Sequence, residues 1–261
     1  MSKTKKVFLQ ILFAVFILTA LAFATLIVRE LYIDNQSQSF YEELAIEARR
    51  QTDEDIDADD TQTEQTGQPD TTETAWTPYI DFEALNSSFP GVVGWMILDG
   101  TPIDYPVMQY TDNNFFLTRL PDGTLHRNGS IFLDYRNKSN FSDKSILIFG
   151  HENRAGDMFG ALKNYRNQNF FDENPVIYLF TPEKDYTIQL FAGHVAHSER
   201  DHPPLEFEDD EEFMTYIDHI RSISVFNSDI AVTADDRIVS LVTCTYDFND
   251  ARLIIVGILI E

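Results

Sequence analysis

The chain has 261 residues, 43 acidic against 19 basic side chains, a formal net charge of -24 and one cysteine. The length allows one or two domains, and a single cysteine excludes an intrachain disulfide and any multi-cysteine zinc or iron–sulfur site. The acidity argues against a nucleic-acid binder, which needs a basic face for phosphates, while 43% apolar and 13% aromatic residues exclude a disordered chain.

Residues 1–6 carry Lys3, Lys5 and Lys6 and read as a cytoplasmic N-terminus. Residues 7–28 (VFLQILFAVFILTALAFATLIV) hold no charge. As a helix they extend about 33 Å, enough to cross a hydrocarbon core of about 30 Å. The lysines before the span, against Arg29 beside Glu30 after it, predict a single-pass anchor with the remainder outside the cell. The rival reading is a cleaved signal peptide, since Ala22-Phe23-Ala24 resembles a cleavage site. The apolar run continues through Leu26, Ile27 and Val28, which favours the anchor.

Residues 29–75 are expected to form an extracytoplasmic acidic tether. Within it, 35–50 allows a short helix with Phe40, Leu44 and Ala48 on one face. The stretch 51–75 holds nine acids, no bases and one large apolar residue, Ile56, and reads as a solvated spacer. The folded domain is expected from Trp76 to Glu261.

Eight short apolar runs then follow, bounded by turn residues: 92–98, 103–108, 130–134, 145–149, 176–181, 186–195, 238–243 and 252–260. This pattern predicts a β-barrel or sandwich. Pro106 within its run points to an edge or bulge. Helical stretches are predicted at 79–88, 112–120, 157–167 and 208–222. The last lies in a long connection, 196–237, and long connections in compact domains are commonly functional. Its surroundings put seven acids between Glu206 and Asp218. Such a patch suits a hard cation, but EF-hand spacing is absent and a solvated helix face is the simpler reading. His194, His197 and His202 lack the company of a zinc site.

Cys244 closes the run at 238–243 and Arg252 opens the next; with 245–251 as the connecting loop, the two can face each other across the mouth of one hairpin. His151 is the best-placed of six histidines, directly after a strand and Gly150. A thiol needs such a partner, because a free cysteine is only a few per cent thiolate near pH 7. By spacing alone the case is weak: a lone cysteine at a strand end is commonly a small buried hydrophobe.

Ser240-Leu241-Val242-Thr243-Cys244 followed by Arg252 resembles the signature of the sortases, cysteine transpeptidases of Gram-positive bacteria. Phe149-Gly150-His151 with Met158-Phe159, the segment 104–109 (DYPVMQ), the segment 129–137 (GSIFLDYRN) and Val92-Val93-Gly94-Trp95 resemble class B blocks, in order. The resemblance covers residues 79–260. It implies an eight-stranded barrel with N-terminal helices and a helix between strands six and seven. It assigns catalysis to His151, Cys244 and Arg252, and substrate contact to Thr243, Val242, Leu98 and His202. Partners implied are secreted proteins bearing a C-terminal sorting signal and a peptidoglycan precursor amine; no metal or cofactor is implied. The chain departs from the pattern at Ser240, where the family has Thr, and at Val242, where class B often has Ser. It also departs at Asp201-His202-Pro203-Pro204, where class B often has an aromatic–aliphatic pair. A pilin-polymerising relative, an L,D-transpeptidase and a non-catalytic anchored module are the other readings. Polymerising relatives usually carry a second C-terminal span and a lid, and neither is expected here; the Ser-x-Gly-Cys-type motif of an L,D-transpeptidase is missing.

Overall fold

The computed structural model describes residues 3–49, 79–153 and 156–261. The acidic stretch 51–75 and Trp76 fall outside them. The chain divides into two compact units, Met1–Glu42 and Glu43–Glu261.

Helix α1 runs Lys3–Glu47, with Phe8, Leu12, Phe13 and Phe16 among its exposed apolar side chains. Among the described residues it is the one helix long and apolar enough to cross a membrane. No glycine or proline interrupts it, so helix continues through 29–47. Its last turn belongs to the second unit. Leu44, Ala45 and Ala48 are buried there, and the Asp81 amide donates to the Ala48 carbonyl at 3.0 Å. Arg49 pairs with Asp104, which also accepts from the Trp95 indole N–H at 2.7 Å. The compact unit therefore starts upstream of residue 76, because these apolar side chains need the barrel to cover them.

Eight strands close into a barrel: β1 (Val92–Ile97), β2 (Asp104–Met108), β3 (Ile131–Leu133), β4 (Ser145–Phe149), β5 (Val176–Phe180), β6 (Asp185–His197), β7 (Ile238–Cys244) and β8 (Ala251–Ile260). Their order around the barrel is β1-β2-β3-β4-β7-β8-β6-β5. Each expected run became a strand. Pro106 stands at neither an edge nor a bulge: it pairs with Trp95 of β1 inside the closed barrel, and β3 pairing begins only at Val107.

Helix α2 (Phe82–Ser88) is capped by Asp81, whose carboxylate accepts from the Ala84 amide at 2.9 Å. The 112–120 stretch forms only a 3₁₀ turn at Phe116–Thr118, because Asp112 accepts from the amides of Asn114 and Phe115 and starts a turn. The 157–167 stretch is a 3₁₀ helix, Phe159–Arg166, followed by α3 (Gln168–Glu173). Phe159, Leu162 and Tyr165 are fully buried at a spacing of three, which suits three residues per turn.

Helix α4 (Asp210–Ser222) crosses the outer face of β6, β8 and β7. It buries Phe213, Ile217 and Ile220 against Ala192, Val242, Ile254 and Val256, each burial stabilising by roughly 1.5–3 kcal/mol. Asp209 caps it and three acids occupy its first turn, where the helix dipole favours them. Among the described residues no cluster of three metal-binding side chains exists.

His194 of β6 is buried at 5% exposure, and its Nδ1 has no hydrogen-bond partner among the described residues. Burial, helped by nearby His219 and opposed by Asp201, lowers it to about 4. Above the ordinary value of 6.5 the group is neutral in both states and full stability is present. Between 6.5 and about 4 the unfolded chain takes up a proton that the fold refuses, so stability falls as pH falls. The slope is at most about 1.4 kcal/mol per pH unit. Urea unfolding at pH 7 and pH 4.5 is expected to show a larger loss for the parent than for His194→Gln. Equal losses would mean that His194 is not held neutral by the fold.

Candidate active site

Register builds the site. Phe132 of β3 pairs with Phe149 of β4, Phe149 with Val242 of β7, and Val242 with Ile254 of β8. These four side chains share one face and floor a cleft of about 290 Å³. The two phenylalanine rings stack with centroids 5.4 Å apart. One step of the pleat along the same face comes the next row. Cys244 lies directly opposite Arg252, and Arg252 opposite Ala196 of β6. The β4–β7 ladder continues one bond past the strand, from the Gly150 amide to the Val242 carbonyl at 3.1 Å. His151 thus falls beside Cys244 on the face that carries Phe149 and Val242. All three residues line the cleft.

The histidine is held from behind. Its Nε2 lies 2.9 Å from the Leu117 carbonyl, which only accepts, so Nε2 carries the proton and Nδ1 stays available. Gly129, at φ +54°, packs against the Phe116 and Leu117 carbonyls, and a Cβ there would lie 2.5 Å from the Leu117 oxygen. Asp134 ties in the preceding segment, accepting from Asn113 Nδ2 at 3.0 Å and from Arg136 at 2.8 and 2.7 Å. Burial raises the Asp134 carboxyl, but the hydrogen bonds from Arg136 and Asn113 outweigh it and hold the group below its usual range. Gly150 has its own reason: a Cβ would sit 2.6 Å from the Phe159 ring, which packs under the histidine turn.

Cys244 is half-buried and free. Arg252 donates from one Nη to the Ala251 carbonyl at 3.0 Å, and among the described residues no carboxylate pairs with it. Its other donors remain for a ligand oxygen. The long connection contributes His202, whose ring centroid stands 6.4 Å from that of Phe149 and whose Nδ1 meets the Pro203 carbonyl. Val242 is part of the floor, and Thr243, almost wholly buried, also reaches the cleft. Leu98 does not: it is 1% exposed in the β1–β2 turn, its amide bonded to the Ile103 carbonyl, away from the cleft residues. Its apolar character suits core burial as well as substrate contact, and sequence does not distinguish the two. Asn113, Asn114, Phe132 and the Leu117 carbonyl belong to the site without having been singled out. The carbonyl has no sequence signal, since any residue supplies one. A larger groove of about 670 Å³, between residues 79–86 and the β5–β6 turn, contains neither cysteine nor histidine among its described lining residues.

Barrel, register and cleft together describe a thiol enzyme of the sortase class. No family profile matches the chain. Sortase B of Listeria monocytogenes is 32% identical over 182 residues, covering 69% of this chain and 73% of that protein. Sortase B of Staphylococcus aureus is 31% identical, covering 69% and 75%. Among solved structures, a Staphylococcus aureus sortase B–substrate complex matches with TM-score 0.74 and 26% identity, covering 88% of this chain and 99% of that one. Bacillus anthracis sortase B in complex with AAEK1 matches with TM-score 0.64 and 32% identity, covering 69% and 84%. The chain belongs to the sortase B family and is a cysteine transpeptidase.

Proposed function

We propose that the chain is a membrane-anchored transpeptidase that cuts a C-terminal sorting signal in secreted proteins and joins them to a peptidoglycan amine. The observation that carries this reading is the row of His151, Cys244 and Arg252 at the mouth of one cleft. The Cys244 thiolate attacks the carbonyl carbon of the residue before the cut. Arg252 N–H groups receive the developing oxyanion, a role worth roughly 3–4 kcal/mol for one well-placed donor. Protonated His151 gives its proton to the leaving amine as the C–N bond breaks and the thioacyl-enzyme remains. An acceptor amine then attacks that carbonyl, His151 takes a proton, and the C–S bond breaks to restore the thiolate. The route draws on no metal or cofactor. The apolar floor of Phe132, Phe149, Val242 and Ile254 suits the side chains of an extended peptide, and His202 stands at its rim.

Two solved relatives support the partner classes: one is a sortase B–substrate complex and another is sortase B complexed with triglycine. The exposed apolar surface of α1 supports the anchor, and the lysine bias supports a cytoplasmic N-terminus with the catalytic unit outside. The stretch 51–75 would then serve as the spacer from the bilayer.

The test incubates the full chain in detergent with a library of five-residue sorting peptides and assorted amines. Mass spectrometry is expected to show one preferred cut and an amide joining the N-terminal fragment to the amine. Cleavage without any amide product would contradict the transpeptidase reading.

A further inference from the structure

Cys244 lines two clefts. The second, of about 380 Å³, is lined among the described residues by Glu152, Lys163, Arg166, Tyr246 and Asp247, and it shares only Thr243 and Cys244 with the first. The loop after β7 lines the second through Thr245, Tyr246 and Asp247. Arg166 clamps that loop, donating to both carboxylate oxygens of Asp247 at 2.9 and 2.5 Å and to Thr245 Oγ1 at 3.1 Å. Hydrogen bonding from Arg166 and Thr245 lowers Asp247 to about 2. Those two charges are therefore occupied with each other. The walls of the two clefts differ: one floor is aromatic and aliphatic, while the other sets the charged side chains of Glu152, Lys163, Arg166 and Asp247 beside Tyr246 and Leu253.

Glu152 is the carboxylate held most loosely in the second cleft, by a long ion pair to Lys163. Its side chain is 11% exposed, and its Oε1 stands 4.0 Å from Lys163 Nζ, beyond hydrogen-bonding distance. Its Oε2 is buried with no hydrogen-bond partner among the described residues. A buried carboxylate oxygen without a donor is costly, and an arriving donor would relieve that cost. Glu152 follows His151 directly and so turns to the opposite face, where it lines the second cleft with Cys244; its bridge to Met158 fixes its backbone.

We infer that Glu152 is the acceptor-recognition residue: the ammonium group of the incoming amine enters by the second cleft and binds its carboxylate beside the Cys244 thioester. This rests on the transpeptidase reading above and assigns the second substrate its own door. As the amine passes from Glu152 to the thioester, its ammonium yields one proton to neutral His151. The free amine attacks the thioacyl carbon, and the C–N bond forms as the C–S bond breaks. The remaining surplus proton leaves to solvent, so the thiolate and protonated His151 are restored together. The donor peptide and the acceptor never compete for one groove.

The test compares two nucleophiles on the full chain in detergent, with a peptide the parent cleaves. Triglycine carries an ammonium group near pH 7.5, whereas hydroxylamine is neutral there. Glu152→Gln keeps the shape and removes the charge. It is expected to lower kcat/KM for triglycine about tenfold, a typical scale for losing one charged partner, while hydroxylamine capture of the thioacyl group stays within about twofold of the parent. Glu152→Asp should recover part of the triglycine rate. Equal losses for both nucleophiles, or no loss for triglycine, would overturn the assignment. A parent chain that yields no product with either nucleophile would overturn the proposed function, and the assignment of Glu152 with it.

Discussion

The Cys244→Ala variant is expected to form no thioacyl-enzyme and to lose transfer by at least about a thousandfold, since no other group in the cleft supplies a sulfur nucleophile. The change removes one half-buried sulfur at the last residue of β7. Its backbone pairing with Arg252 does not depend on the side chain. Unfolding free energy should therefore move by less than about 1 kcal/mol. The two readouts together separate chemistry from fold. A variant that still completes attachment would mean that the barrel serves as a binding module.

The His151→Ala variant is expected to lose about 10²–10⁴-fold in transfer, the usual range for a general acid–base group. His151 lies beyond the end of β4, and its ring is held chiefly by the single contact to the Leu117 carbonyl. Little core packing goes with it, so cooperative urea unfolding should persist with a midpoint near the parent's. Loss of cooperative unfolding would mean that His151 supports the turn on which Gly150 and Phe159 meet.

The strands were legible because each is a short apolar run closed by turn residues, and a fully buried run such as 145–149 leaves little else to choose. The closure of the barrel was not. β4 pairs in parallel with β7, joining residues about ninety positions apart, and periodicity carries no record of that pairing. Cys244 and Arg252 were legible as neighbours because one hairpin holds both. His151 joined them only through the parallel register and the family resemblance. The helical stretches were legible as helical but not as 3₁₀. At 159–166 the entry residue Met158 sits at φ +53°, and Gly160 approaches the Asn153 carbonyl so closely that a Cβ would lie 3.0 Å from it. Both are tertiary constraints that a face of apolar residues does not announce. The second cleft was illegible for the same reason: Glu152 reads as an ordinary polar residue after a histidine until burial singles it out.

Acyl transfer is expected to pass through the Cys244 sulfur. The most direct measurement incubates the full chain with a cleavable sorting peptide, quenches in acid, and maps the added mass by peptide sequencing in the mass spectrometer. The mass of the N-terminal peptide fragment is expected on the segment containing Cys244, removable by an added amine and missing from Cys244→Ala. Turnover with no such adduct under any quench, or an adduct on another residue that decays at the rate of product formation, would contradict it.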